Sequence, residues 1–118
     1  MAKKLTMPDS GTGLAFALPD YTMRDRSEVE SFLRQNPYLG PLLSEAHQRL
    51  QQYFPGAPLF LEVAVDPEED FEELLLTVFT SLPPGEARAI RNRFDDDWWL
   101  ASLNRAKGNL CIALGYRR

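Results

Sequence analysis

Residues 58–85, PLFLEVAVDPEEDFEELLLTVFTSLPPG, most constrain the fold, because the hydrophobic period there changes from helical to alternating. Between Leu59 and Asp66 an apolar residue recurs at every second position, as in a strand with one buried face. A second run, Glu73–Ser81, is apolar at nearly every position, and an acidic stretch joins the two runs. Together they predict an antiparallel β-hairpin.

Two helical patterns precede this hairpin. Ser27 is followed three residues later by Glu30, the spacing of a capping box, which predicts a helix over 27–35. From Tyr38 to Phe54 the apolar residues recur at helical spacing with polar residues opposite them, which predicts an amphipathic helix.

A third helical pattern follows the hairpin and continues to about Ala106, with Gly108 placed as its left-handed stop. The run NLCIALGY, residues 109–116, predicts a last strand. The order helix, helix, strand, strand, helix, strand predicts an α+β fold with the helices packed on a small antiparallel sheet. Because a helical crossover leaves the strands that it joins parallel, we expect the last strand beside the first, in the order 2-1-3.

Length and composition indicate the class of protein. The 118 residues suit one domain, which we assign to residues 14–118, whereas residues 1–13 lack periodicity and predict a mobile terminus. No apolar run is long enough to cross a bilayer, and the first residues lack the apolar region of a signal peptide. The single cysteine allows no internal disulfide. We therefore expect a cytoplasmic protein that does not span a membrane.

Two adjacent tryptophans follow three aspartates in the third helical pattern, RFDDDWWL. At 100° per residue Trp98 continues the stripe of Phe94, whereas Trp99 starts a stripe turned by more than a quarter of a turn. Either the helix is buried on two sides, or it breaks and restarts with Asp95 as N-cap, and we favour the break. Trp99 then docks on the sheet. Trp98 either packs under the first helices or stands exposed as an anchor for another protein.

The segments SLPPGEA, RFDDDWWL and RAKGNLCIALGY resemble the C-terminal half of a group of small uncharacterised bacterial proteins, found especially in cyanobacteria. The plan from about Val29 onward is similar as well. The resemblance implies a bacterial cytoplasmic protein. It also implies an association of the gene with toxin–antitoxin-like gene pairs. It implies no catalytic residues.

Few residues suit catalysis or metal binding. His47, the only histidine, lies at the margin of an apolar helix face, which predicts a structural role rather than a general base. Cys111 lies within an apolar strand and predicts a small core residue. The acidic loop 66–73 lacks the ligand spacing of an EF-hand, which favours a solvated hairpin loop. We expect no cofactor and no metal site, and an enzyme is the less favoured class.

A nucleic-acid interface is a further alternative, as in an antitoxin-like regulator. Four bases near the third helix could form a positive stripe: Arg88, Arg91, Arg105 and Lys107. The net charge of −4 and the seven acids between Leu59 and Pro83 argue against it.

The first functional hypothesis is a non-enzymatic module that binds another protein or a second copy of itself. If the helices cover one sheet face, the other exposes an apolar patch: Phe60, Ala64, Leu75, Phe79, Cys111 and Ala113. Trp98 and Arg105 are further candidates for this interface. The alternative is a small-molecule site or small enzyme with a polar pocket near Trp98, Arg105, Tyr116 and Glu62.

Overall fold

The computed structural model describes residues 20–116. The predicted mobile terminus, residues 1–13, lies outside the described residues. The elements are β1 (Thr22–Met23), α1 (Arg26–Gln35), α2 (Leu39–Tyr53), β2 (Leu59–Asp66), β3 (Phe71–Thr80), α3 (Pro84–Phe94), a π-helical segment (Asp95–Trp99), α4 (Leu100–Ala106) and β4 (Leu110–Tyr116). The α+β class is confirmed, with β1 as an additional short strand.

The strands form one mixed sheet in the order β1-β2-β3-β4. The hairpin is antiparallel from Leu59 opposite Val78 to Asp66 opposite Phe71. The predicted order 2-1-3 and the all-antiparallel sheet are wrong, because β4 lies beside β3 and runs parallel to it. The helical crossover joins these two parallel neighbours, and β1 occupies the other side of β2.

The N-cap of the first helix lies two residues before the predicted cap, Ser27. Asp25 is the N-cap in a left-handed conformation, and its carboxylate accepts a hydrogen bond from the N–H of Glu28 at 3.2 Å. Ser27 therefore lies in the first turn. Glu30 does not close a capping box, since it accepts a hydrogen bond from Arg26 at 3.2 Å. Aspartate is at least as good an N-cap as serine, which explains the shift.

The core lies between one face of the sheet and the helices. On each strand alternate residues are buried beneath the helical layer: Leu59, Leu61, Leu74, Leu76, Val78, Leu110 and Ile112. Leu33 of α1 and the α2 residues Leu43 and Leu50 are completely buried from the other side. None of the helices in the described part of the chain is long and apolar enough to cross a membrane.

The predicted break in the third helix is wrong. The chain is helical without interruption from Pro84 to Ala106, and Asp95 has right-handed helical dihedrals instead of those of an N-cap. The N–H of Leu100 donates to the carbonyl oxygen of Asp95, an i to i+5 bond that defines a π turn. A π turn holds about one residue more than an α turn, so it changes the phase of the helix without ending it.

Candidate interaction surface

The sheet face opposite the helices is not covered by any helix that the structure describes. Because side chains alternate along a strand, the neighbours of the buried residues point to this side. We call it the outer face, and it comprises Thr22, Phe60, Glu62, Ala64, Glu73, Leu75, Thr77, Phe79, Cys111, Ala113 and Gly115. The six apolar residues that the sequence assigns to an uncovered face all lie on it. Each of the six is partly exposed.

Two phenylalanines form the apolar centre of the outer face. The rings of Phe60 and Phe79 meet edge to face, with their centroids 4.8 Å apart and their planes at 78°. Phe79 also lies over the backbone of Gly115, where a Cβ would come within 2.6 Å of the Phe79 Cε1 atom. Glycine at this position therefore allows the ring to lie flat on the sheet. Sequence reasoning did not identify this glycine, since its role depends on the register of β3 and β4.

A shallow depression of about 290 Å³ borders the phenylalanine pair. Its walls are formed by Thr22, Met23, Arg24, Phe60, Leu61, Glu62 and Phe79. Arg24 and Glu62 form an ion pair at its rim, with 3.8 Å between Nη1 and Oε1. Its lining combines apolar side chains with the charged pair of Arg24 and Glu62.

Acidic residues border the other end of the outer face. Glu62 lies opposite Leu75, and Glu73 lies opposite Ala64, one step nearer the hairpin tip. Asp66 ends β2, and the connection beyond it, residues 67–70, carries three more acids: Glu68, Glu69 and Asp70. Among residues 20–116 no three acidic, histidine or cysteine side chains are grouped closely enough to hold a metal ion. The outer face therefore changes from apolar to acidic along the strands.

Trp98 is buried, which agrees with the alternative that it packs inside the chain and corrects its assignment as an exposed interface anchor. Only 6% of its surface is accessible, and 5% of that of Trp99. Arg105 donates to the carboxylate of Glu45 on α2 at 2.5 Å, and the Trp98 side chain lies close enough to this carboxylate to help to lower its pKa. The pKa of Glu45 is lowered, chiefly by the hydrogen bond from Arg105. Desolvation opposes this shift, and the charge of Arg105 and the Trp98 side chain add to it. Arg105 thus joins α4 to α2, and Trp98 of the π-helical segment is buried on the same helix side of the sheet.

The predicted polar pocket is not formed. Glu62 lies on the outer face, whereas Trp98 is buried on the helix side, so the sheet separates them. Tyr116 has the same strand parity as the buried Ile112 and lies on the helix side, at the end of β4, with 43% of its surface exposed. Alternation already places Glu62 on the same face as Phe60, but it does not reveal where the helices bury Trp98.

His47 contacts Tyr21, a residue that the sequence did not single out. The two rings meet edge to face with centroids 5.3 Å apart. The Tyr21 hydroxyl donates to the carbonyl oxygen of Leu43 at 2.8 Å, and burial raises the pKa of Tyr21. The histidine lies beside a surface depression of about 380 Å³ that Asp20, Thr22 and Gln51 also line. These contacts favour the predicted structural role of His47.

Cys111 is not a core residue, contrary to the sequence-based prediction. It lies on the outer face opposite Leu75 and is partly exposed. Burial and then the negative charge of Glu73 raise the pKa of the Cys111 thiol, while Arg91 opposes this rise. A raised pKa lowers the fraction of reactive thiolate, which does not suit a catalytic nucleophile.

The predicted basic stripe is largely occupied by contacts within the chain. Arg91 pairs with Asp95 at 2.9 Å, and Arg105 pairs with Glu45. Lys107 lies over the ring of Tyr38, with its Nζ 4.6 Å from the ring centroid. These contacts reduce the positive charge available to a nucleic acid.

Comparison of the chain with protein-family models, curated proteins and solved structures gives no significant match. The resemblance to small bacterial proteins therefore stays a prediction.

Proposed function

We propose that this chain is a protein-interaction module whose outer face binds an amphipathic, basic segment of a partner protein. The observation that carries the proposal is the single-sided packing of the sheet. Its helices lie on one face, while the opposite face presents the Phe60 and Phe79 pair beside the partly exposed Leu75. Adjacent apolar side chains of this kind on an uncovered surface are typical of protein interfaces.

The charge of the outer face supports a basic partner. Glu73 lies on the face itself, and the acidic hairpin connection continues from its end, while Glu62 on the same face is partly balanced by its ion pair with Arg24. A segment that places apolar side chains against Phe60, Phe79 and Leu75 brings its flanking residues close to these carboxylates. Lysine or arginine at those flanks gains electrostatic complementarity, which mainly accelerates association and selects the partner.

A pull-down from an extract of the native cells tests this proposal, with the wild-type chain and two variants as baits. Leu75→Lys introduces a positive charge at the centre of the outer face, where it repels a basic segment and removes an apolar contact. Ala89→Lys introduces the same charge on the exposed side of α3 and serves as the control. We expect the wild type and Ala89→Lys to retain the same partner and Leu75→Lys to lose it.

Affinity and salt dependence then characterise the captured partner. We expect Leu75→Lys to weaken binding at least about tenfold, as for a residue near the centre of an interface. Added salt should slow association more than it accelerates dissociation. Equal capture by all three proteins, or the absence of a stoichiometric partner for the wild type, would contradict the proposal.

A further inference from the structure

We propose that a second copy of this chain pairs with the free edge of β4, so that two sheets join into one across a two-fold axis at Ala113. Strand β4 is bonded to β3 on one side only, and within the described residues no strand lies on its other side. This edge is a different surface from the outer face, so the inference goes beyond the proposed function.

The free edge lacks the features that normally prevent strand pairing. Exposed edges are commonly protected by charged side chains, proline, bulges or short strands. The seven residues of β4, LCIALGY, include no charge and no proline. They are paired with β3 without interruption from Leu110 to Tyr116, so the strand carries no bulge in this register. Such an edge is suited to antiparallel pairing with another strand.

The backbone groups that face outward can be assigned from the hydrogen bond between the N–H of Leu74 and the carbonyl oxygen of Asn109. In a parallel ladder alternate residues of one strand bond to the neighbour. Asn109, Cys111, Ala113 and Gly115 therefore bond to β3. The N–H and C=O groups of the intervening residues point away from the sheet: those of Leu110, Ile112, Leu114 and Tyr116.

A symmetric register satisfies all of these outward groups. When Leu110 lies opposite Tyr116 of the second copy, Ile112 lies opposite Leu114, and each pair exchanges two hydrogen bonds. Ala113 then lies opposite Ala113 in a pair that shares no hydrogen bonds. On the outer face only small side chains meet, which are those of Cys111, Ala113 and Gly115. The seven-residue strand is thus self-complementary, as a two-fold interface requires.

The helical layer above this edge is also apolar and exposed. Leu100 and Leu103 of α4 are 57% and 44% exposed. At 100° per residue they are turned by about 140° and 160° from Arg105, which contacts α2. They therefore lie on the flank of α4 directed away from α2, at the β4 end of the helical layer. A second copy would cover the two leucines and the edge at the same time.

The axial positions of the leucines agree with the proposed axis. The crossover helix runs antiparallel to β4. Leu100 lies about 9 Å before the end of α4 at 1.5 Å per residue. Ala113 lies about 10 Å after the start of β4 at 3.3 Å per residue. Because a two-fold axis perpendicular to the sheet keeps both helical layers on one side, Leu100 would meet Leu100 of the second copy near the axis.

Sedimentation of the purified full-length chain across the micromolar range tests the inference. We expect a reversible dimer. Leu103→Glu should raise its dissociation constant at least about tenfold, because it buries two charges in the contact. Ala101→Glu adds the same charge at an exposed position of α4 that is turned by about 160° from Leu103 and about 100° from Leu100, and should leave the dimer unchanged. A wild-type monomer at the highest concentration, or equal effects of the two substitutions, overturns the proposal.

Symmetric crosslinking tests the register itself. In a Cys111→Ser background Ala113→Cys places two thiols opposite each other at a distance of about 4.5 Å between Cα atoms, within the range of a disulfide. Oxidised glutathione accepts the two electrons and two protons as the S–S bond forms. Thr77→Cys lies beside residue 113 on β3 and is the control. We expect a covalent dimer for Ala113→Cys and none for Thr77→Cys. If both variants sediment as dimers but neither forms a disulfide between the copies, this register is overturned.

The same variants separate the two proposals. Leu75→Lys should leave the dimer intact, whereas Leu103→Glu should leave capture of the partner intact. Failure of the strand pairing therefore does not imply failure of the outer-face proposal, and the reverse also holds.

Discussion

The rings of Trp98 and Trp99, consecutive residues, lie in the same core with their centroids 5.7 Å apart. In a regular α-helix consecutive residues are turned by 100°, and Trp99 would be about 140° from Phe94. The π turn supplies the extra residue that brings both indoles to the core side of the helix. Phe94 and Tyr53 continue the aromatic cluster toward α2, with ring centroids 5.6 Å apart.

Deletion of Asp96 tests the role of the π turn. Asp96 is exposed, and its loss places Trp98 and Trp99 three and four residues after Phe94, where a regular α-helix directs both toward the core. We expect the variant to lose about 1 kcal/mol or less of its free energy of unfolding. Urea denaturation measures this loss.

Deletion of Ala89 is the matched control for Asp96. Ala89 is also exposed but lies in the regular α3, so its deletion turns everything after it by about 100°. Phe94 would leave the core, and we expect a loss of more than about 3 kcal/mol. Equal losses for the two deletions would show that the π turn does not hold an extra residue.

Gly115→Ala tests the contact with Phe79. The added Cβ meets the ring, which must rotate off the sheet, and we expect a loss of about 1 kcal/mol in the free energy of unfolding. In a Phe79→Leu background the same substitution should cost less, since the ring is absent. Gly85→Ala, where nothing lies within 4 Å of the new Cβ, should be neutral or slightly stabilising. A double-mutant cycle with no coupling energy would contradict the contact.

Much of the fold follows from sequence periodicity. The hairpin, α2 and the last strand are predicted within a few residues, because each has a clear hydrophobic period and turn residues at its ends. The neighbour of β4 could not be predicted in this way. The alternation of residues within β4 is the same whether the strand pairs with β2 or with β3. The two-residue β1 is too short to give a pattern.

The candidate interface residues also divide into those that sequence periodicity predicts correctly and those that it does not. Phe60, Leu75 and Phe79 are assigned to an uncovered face by alternation alone, and the structure places them there. Trp98 and Arg105 are misassigned as exposed interface residues, whereas the alternative in which Trp98 packs inside the chain agrees with its burial. The exposed alternative followed from the predicted helix break, and RFDDDWWL carries no recognised signal for the π turn that replaces this break. An ideal helical projection keeps Trp98 within about 40° of Phe94 and turns Trp99 away from the core instead.

The ion pair between Glu45 and Arg105 makes stability depend on pH. The pKa of Glu45 is lowered in the folded state from its ordinary value of 4.5, chiefly by the hydrogen bond from Arg105. A lowered carboxyl pKa stabilises the fold fully above the unfolded-state pKa, and this contribution is lost as the pH falls through the folded-state value. Glu45→Gln should therefore destabilise the protein at about pH 7 and have little effect near about pH 3.

The control for this pH dependence is the Arg105→Gln background. There the principal cause of the lowered pKa is gone, so the effect of Glu45→Gln on the free energy of unfolding should change much less with pH. Chemical denaturation at both pH values provides the comparison. An unchanged pH dependence in that background would show that Arg105 does not control the carboxyl group.

Alkylation of Cys111 tests most directly whether the outer face is open, since this native thiol lies on it. The comparison is a Cys111→Ser, Leu76→Cys variant, whose thiol replaces a fully buried residue on the opposite face of the same sheet. We predict that Cys111 reacts with a small maleimide in the folded protein under conditions where the thiol at position 76 reacts only on unfolding. We also predict that a bound partner slows the reaction of Cys111. Equal protection of the two thiols in the free protein would contradict an open outer face.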